Sequence, residues 1–182
     1  GKIRLIHNSI NKGKGYSVRE GILEAKGDYR LFMDADSSTS IDHLSLLLPY
    51  FEKGYDIVIG SRKIAGSKLT IKQSPVREFL GTIFRTIVRM ILPLGVIDSQ
   101  NGFKMFSKKA SELIFPRQKT VGWAFDVEIL AIAKKHGLTI QEVPITWEND
   151  EDSKMTFRGM FHSLSEILKV RINLWTNAYG KN

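Results

Sequence analysis

The sequence predicts an α/β fold with a mostly parallel sheet flanked by helices. Two observations carry this. Short apolar runs alternate along the chain with stretches of helical period, the order that βαβ units produce. The runs YRLFM and DIVI are near-continuous in their apolar character, as in strands covered on both faces.

The elements follow in order. Residues 2–7 read as a short strand. Residues 16–26 read as a helix, with Val18, Ile22 and Ala25 on one face and Gly27 as its stop. Residues 29–33 form the next strand. Ser40 is an N-cap for a helix over 41–53, which Gly54 closes. Residues 56–59 are a buried strand followed by GSR, and the polar segment 66–74 reads as a loop. Ser74-Pro75 pairs a cap with a proline at the first helical position, opening a long helix to about residue 92. A strand over 103–106, a helix over 108–114, a helix over 124–136 stopped by Gly137, and a strand over 138–147 come next. An acidic turn precedes a last amphipathic helix over 157–177. There is no internal repeat and no low-complexity segment.

The chain has 182 residues, enough for a single domain over 1–182. Hydrophobic residues make up 42% and charged residues 25%, which argues against disorder. There is no cysteine, so disulfides and thiol chemistry are excluded, in keeping with a reducing compartment. No run of apolar residues is long enough to span a bilayer, and no signal peptide is read at the start. The net charge of +8 points to an anionic partner. Nucleic acid is disfavoured, since there is no recognition helix and no stacking-aromatic motif.

Six segments carry chemistry. In DADSSTS, Asp34 and Asp36 follow a buried strand directly, and ligands of open α/β sheets bind at strand carboxyl ends. In an extended segment both carboxylates point the same way, which suits a hard divalent cation. Capping of the next helix explains the same residues. In NKGKG, Asn11, Gly13 and Lys14 lie between a strand and a helix, where glycine allows close backbone approach and the helix N-terminus favours anions. The glycine-rich turn with solvated lysines is the plainer reading. GSR places Arg62 at another strand end. Arg77, Arg85 and Arg89 lie on roughly one face of the long helix, opposite Val76, Phe79, Ile83, Ile87 and Ile91, a pattern suited either to an anionic membrane surface or to a core helix. DSQNGFK carries Asp98 and Gln100. WAFDVE carries Asp126 and Glu128 in a first helical turn, and TWENDEDSKM carries Lys154.

Together these segments resemble the family 2 glycosyltransferases of the GT-A fold. They are most similar to the enzymes that transfer glucose or mannose to dolichyl or polyprenyl phosphate. The resemblance rests on NKGKG, DAD, GSR, DSQNGFK, WAFDVE and WENDEDSK in this order, and it weakens after about residue 158. Asn101 stands where the glucosyltransferase branch shows cysteine. Ser38 stands where some mannosyltransferases place a glutamine as a further metal ligand.

The resemblance implies a GT-A domain lacking the first one or two nucleotide-binding strands, that is, the C-terminal two-thirds of a catalytic domain. It implies inverting transfer of glucose or mannose from UDP-glucose or GDP-mannose to a polyprenyl phosphate. Asp34 and Asp36 would hold Mg²⁺ or Mn²⁺ against the diphosphate. Arg62 and Arg77 would seat the acceptor phosphate, with Lys154 assisting at either phosphate. Asp98 and Asp126 would position the sugar or the arginines, Gln100 would bind the sugar, and Asn11, Gly13 and Lys14 would bind substrate. The setting would be peripheral, at the cytoplasmic face of a membrane, with the helix near residues 158–178 as a second contact. Two other functions fit the same motifs: transfer to a glycan hydroxyl with Asp126 or Glu128 as base, and a non-catalytic remnant that binds the membrane surface.

Overall fold

Continuous apolar runs become the sheet. YRLFM forms β1 (Tyr29–Met33), with Arg30 and Phe32 turned inward. IVIGS forms β2 (Ile57–Ser61), buried at every position. These assignments come from a computed structural model, which describes residues 3–36, 38–70, 75–148 and 157–180, and of residues 75–77, 157, 158, 160 and 161 the backbone alone. The remaining strands are β3 (Lys68–Leu69), β4 (Phe103–Ser107), β5 (Ile140–Pro144) and β6 (Thr146–Trp147). The helices are α1 (Lys14–Glu24), α2 (Leu44–Glu52), α3 (Pro75–Ile91), α4 (Lys108–Ile114), α5 (Phe125–Lys135) and α6 (Phe157–Trp175).

The larger sheet has the order β1-β4-β2-β5. Strands β1, β2 and β5 run in one direction, and β4 runs against them between β1 and β2. The sheet is therefore mostly parallel in strand direction, while the β1–β4 and β4–β2 ladders are antiparallel. This reversal builds the site. An antiparallel β4 begins where β1 and β2 end, so the residues that lead into it lie at their carboxyl edge. The N-termini of α1 and α5 reach the same edge, because each helix runs back along the sheet toward the start of the strand that follows.

Packing divides by layer. On one side of the sheet, Phe32, Ile57, Ile59 and Phe106 pack with Ile22 of α1, Ala110 and Ile114 of α4, and Ile129, Ile132 and Ala133 of α5. On the other side, Val58, Phe103, Met105 and Val143 pack on Leu47 and Phe51 of α2. A third cluster joins Phe84 and Val88 of α3 to Val127 and Ala131 of α5 and Ile167 and Val170 of α6. Helix α5 is thus covered on two sides and buried continuously over Phe125–Ala133, which explains its near-unbroken apolar sequence.

Several expectations need correction. Residues 3–8 do not form a strand, and Ile3 and Leu5 are 99% and 85% exposed. Among the described residues no strand lies beside them, and an apolar alternation without a ladder partner gains neither hydrogen bonds nor a covered face. The strand expected over 138–147 divides at Ile145. Its first part pairs with β2 as β5, and its second part pairs with β3 as β6. The segment 66–74 thus contains a short strand, Lys68–Leu69, where a loop was expected. Ser40 does cap the next helix, its Oγ accepting the Asp42 N–H, although that helix opens with a 3-10 turn. The Ser74 cap falls outside the described residues. Helix α6 ends at Trp175, and Asn177 follows at φ 54°, a left-handed conformation that asparagine tolerates.

Candidate active site

Asp34 continues β1 past its last ladder pair, and its N–H donates to the Gly102 carbonyl at 3.0 Å. Its carboxylate receives the Lys14 ammonium at 2.5 Å. Gly102 permits this arrangement, since a Cβ there would lie 2.0 Å from Asp34 Oδ2. Lys14 opens α1 and also lies over the Trp123 and Phe125 rings, at 5.2 and 5.9 Å. The turn before it is set locally. Asn11 Oδ1 accepts the Gly13 N–H at 2.9 Å, and Gly13 takes φ 96°, where a Cβ would meet the Val121 carbonyl at 2.3 Å. Gly13 and Gly15 therefore serve close packing against the 120–125 segment, and Lys14 alone of this motif reaches a charged partner at the strand edge.

Asp36 behaves differently. The backbone turns at Ala35 and Asp36, so the rule that alternate residues share a face stops at Asp34. Asp36 is exposed and its Oδ1 accepts the Ser38 N–H at 3.0 Å. The loop is fastened from the far side: Ser38 O accepts the Glu148 N–H, and His43 Nε2 accepts the Thr146 N–H. Strand β6 and the aspartate loop are thereby joined.

Arg62 leaves the end of β2 and meets Asp98. Its Nε and Nη2 donate to the two carboxylate oxygens, each at 2.7 Å, and its backbone N–H donates at 2.9 Å. The guanidinium lies 5.1 Å from the Trp147 ring centroid. Burial pushes the Asp98 carboxyl up, yet the hydrogen bonds and charge of Arg62 outweigh it and hold the group below its usual range. Behind Asp98 stands Glu142 of β5, whose oxygens accept the Ile97 and Asp98 N–H groups at 2.7 and 2.9 Å.

A second ion pair lies deeper. Lys104, the second residue of β4, is fully buried between Phe32 and Ile59 in the ladder register. Its ammonium bonds Asp126 and the Asn101 carbonyl. Burial pushes the lysine down and the aspartate up, and the contact between them opposes both shifts. Asp126 is thus committed to Lys104. Asn101 is buried, with Oδ1 on the Phe103 N–H and Nδ2 without a partner among the described residues.

Two further carboxylates hold the wall opposite Lys14. Glu128 accepts the Lys119 and Thr120 N–H groups and the Tyr179 hydroxyl, the last at 2.7 Å, and burial raises it. Glu166 of α6 accepts the Ala124 N–H at 3.1 Å and fills the space that a Gly122 side chain would need. Glu128 and Asp126 are thus both engaged in this structure, Glu128 by backbone amides and Tyr179, and Asp126 by Lys104.

The structure brings Asp34, Lys14, Arg62, Asp98 and Asp126 to one edge. Gln100 is half-buried on the same segment, and its side chain makes no hydrogen bond among the described residues. Arg77 lies in the first turn of α3 with its side chain outside the described residues, and Lys154 lies outside them altogether. Sequence reading missed Glu142, Glu166 and the depth of Lys104. The first two act on backbone amides far away in sequence and leave no local pattern. Lys104 did carry a signal, a charged residue inside an otherwise apolar strand.

Among the described residues no cluster of three His, Cys, Asp or Glu side chains could hold a metal. Asp34 nevertheless already balances a cation, the Lys14 ammonium, and offers hard oxygen. Mg²⁺ is commonly held by one or two carboxylates plus substrate phosphates; the Asp34 carboxylate suits such an ion, and Asp36, which accepts the Ser38 N–H here, would have to turn to join it.

Comparison with known proteins bears on the family and the fold. The family described as Glycosyl transferase family 2 matches residues 1–115. A dolichyl-phosphate beta-glucosyltransferase of Trichomonas vaginalis is 35% identical over 185 residues, covering 96% of this chain and 55% of that protein. The dolichyl-phosphate beta-glucosyltransferase of Saccharomyces cerevisiae is 37% identical over 166 residues, covering 85% and 50%. The chain spans about half the length of the relatives it matches. Among solved structures, glucosyl-3-phosphoglycerate synthase from Mycobacterium tuberculosis, crystallised with Mn²⁺, UDP-glucose and phosphoglyceric acid, superposes with a TM-score of 0.55 at 16% identity, covering 93% of this chain and 56% of that one. Mannosyl-3-phosphoglycerate synthase from Rubrobacter xylanophilus gives 0.56 at 20% identity, covering 91% and 50%. These likenesses establish the GT-A fold.

Proposed function

The chain belongs to glycosyl transferase family 2, and on that premise we propose that it serves in the transfer of a hexose from a nucleotide sugar to a polyprenyl phosphate, with inversion. Glucose from UDP-glucose is favoured over mannose from GDP-mannose by the names of the relatives. The observation that carries the reading is the Arg62 guanidinium. It is held by buried Asp98 and lies over the Trp147 ring, yet keeps N–H groups without a partner among the described residues at the edge where Asp34 stands.

The residues divide the work as follows. Asp34 and Asp36 would hold Mg²⁺ or Mn²⁺, which when bound neutralises charge on the departing nucleotide diphosphate. Lys14 leaves Asp34 for the diphosphate as the donor enters. Arg62 seats the acceptor phosphate, with Asp98 fixing its plane, and Arg77 and Lys154 add charge from α3 and the 149–156 segment. Asn11 and Gly13 shape the turn on which Lys14 stands, and Gln100 hydrogen-bonds the sugar. A phosphomonoester has its second pKa near about 6, so it is largely dianionic at neutral pH and attacks without a general base. Asp126 then supports the site from below, where it balances Lys104. Its commitment to Lys104 speaks against transfer to a glycan hydroxyl, which requires a free base.

The acceptor calls for contact with a membrane. Helix α3 turns Phe84 and Val88 to the core and leaves Phe79, Ile83 and Met90 at 65%, 41% and 79% exposure, while Arg85 and Arg89 lie on its other face. Helix α6 likewise exposes Leu168, Ile172 and Trp175, with Arg171 over the Trp175 ring. Exposed apolar stripes, on α6 with an arginine at the side, suit the interface of an anionic leaflet such as the cytoplasmic one. No helix among the described residues is long and apolar enough to cross a membrane, so the contact is peripheral for this part. The test is transfer of labelled hexose from UDP-glucose and GDP-mannose, with Mn²⁺, to a polyprenyl phosphate in vesicles. Organic-soluble label from one donor is expected. Its absence with both donors sinks the reading.

A further inference from the structure

We propose that Glu142 is a positioning residue for the acceptor phosphate, acting through the 97–98 backbone, Asp98 and Arg62. This rests on the reading of Arg62 as the phosphate seat. Residues 92–102 join α3 to β4 without regular structure, and Asp98 sits in their middle. A loop of that kind does not by itself hold a carboxylate in register with a guanidinium. Glu142 supplies the register from β5, which is locked to β2 by the ladder pairs Ile59↔Glu142 and Ser61↔Pro144. The strand that leads into Arg62 and the strand that carries Glu142 are thus one hydrogen-bonded unit.

Two adjacent backbone amides converge on the one carboxylate, Ile97 N at 2.7 Å and Asp98 N at 2.9 Å. These are charge-assisted bonds, stronger than neutral ones. Arg89 of α3 donates to the Ile97 carbonyl at 2.7 Å from the other side. The Asp98 carboxylate is thereby fixed at its backbone by Glu142 and at its oxygens by Arg62. A loop fastening alone would need one such bond anywhere along the segment. Here both fall at Asp98 and its immediate neighbour. Sliding of this backbone would rotate the Arg62 fork away from the edge shared with Asp34.

The experiment compares wild type with Glu142→Gln in the full protein. Glutamine keeps the shape but sets an amide N–H₂ against one of the two backbone donors. The KM for a short-chain polyprenyl phosphate is expected to rise about tenfold, as for loss of one hydrogen bond to a charged group. The KM for the nucleotide sugar should stay within about twofold. In an Arg62→Ala background the same change should add nothing to the acceptor KM. An unchanged acceptor KM overturns the proposal. So does an equal loss for both substrates with a lowered unfolding midpoint, which is a folding role only. Should E142Q not fold, Glu142→Asp gives the same comparison, keeping the charge and shortening the reach. If wild type transfers no hexose at all, the transferase reading fails by itself. Calorimetric titration with the same polyprenyl phosphate then decides on Glu142: weaker binding by E142Q supports the role, and equal binding removes it.

Discussion

Arg62 and Asp98 meet through three hydrogen bonds, two from the guanidinium at 2.7 Å and one from the Arg62 amide at 2.9 Å. The carboxylate is fully buried and the arginine is only partly so. Removing the negative partner leaves a desolvated guanidinium without compensation, which costs about 3–5 kcal/mol for a buried pair. Since Arg62 keeps some exposure, Asp98→Asn is expected near the lower end of about 3 kcal/mol. Urea unfolding checks this.

The same pair sets a pH dependence. The Asp98 carboxyl is held below its ordinary 3.8 by Arg62 despite burial. A depressed folded value contributes stability that is complete above the unfolded value and is lost as pH falls through the folded one. Burial raises Glu128, so its contribution runs the other way, declining as pH rises from its ordinary 4.5. The difference in unfolding free energy between wild type and Asp98→Asn isolates the first. It should shrink as pH falls below 3.8 and stay level between about pH 5 and 7.

Lys14 competes with a divalent ion for Asp34, to which it lies at 2.5 Å. Lys14→Met removes the competitor while keeping an apolar stem near Trp123. Mn²⁺ alone should bind more tightly, and UDP-glucose with Mn²⁺ more weakly, because the lysine is no longer there for the diphosphate. Electron paramagnetic resonance of free Mn²⁺ measures the first, and calorimetry the second. Loss of both together would show that Lys14 supports the turn and does not act as a counter-ion.

The buried pair Lys104–Asp126 offers a further check on the absent base. Asp126→Asn strands an ammonium in the interior and is expected to lower stability by about 3–5 kcal/mol. Joint replacement, Lys104→Met with Asp126→Leu, should recover most of that. If the double variant folds well and still transfers hexose to polyprenyl phosphate within about tenfold of wild type, Asp126 acts as a support for the site. A well-folded but inactive double variant would point to a catalytic base.

Much of this architecture is legible in the sequence, and the reasons are physical. Helices announced themselves through period and stop signals, such as Gly54 and Gly137, which take φ 88° and 70°. The strands β1, β2 and β4 were legible because they read as short, mostly apolar runs, with Arg30 in β1 and Lys104 in β4 as the charged exceptions. The direction of β4 was not, since no local pattern encodes whether a strand runs with or against its neighbours. The break at Ile145 and the two-residue strand β3 depend on a pairing between segments far apart in sequence. At the site, residues borne on recognisable segments, Asp34, Arg62, Asp98 and Asp126, are found together at one edge. The residues that hold them there, Glu142 and Glu166, work through backbone amides and carry no motif.

The most direct test of the central claim is acceptor discrimination by the protein that contains this chain. Labelled UDP-glucose and Mn²⁺ are supplied with polyprenyl phosphate or with the matching polyprenol, for wild type and Arg62→Ala. An inverted, organic-soluble glucosyl product is predicted from the phosphate alone, with loss of at least about tenfold in acceptor kcat/KM on removing Arg62. Transfer to the polyprenol, or undiminished transfer to the phosphate without Arg62, would contradict it.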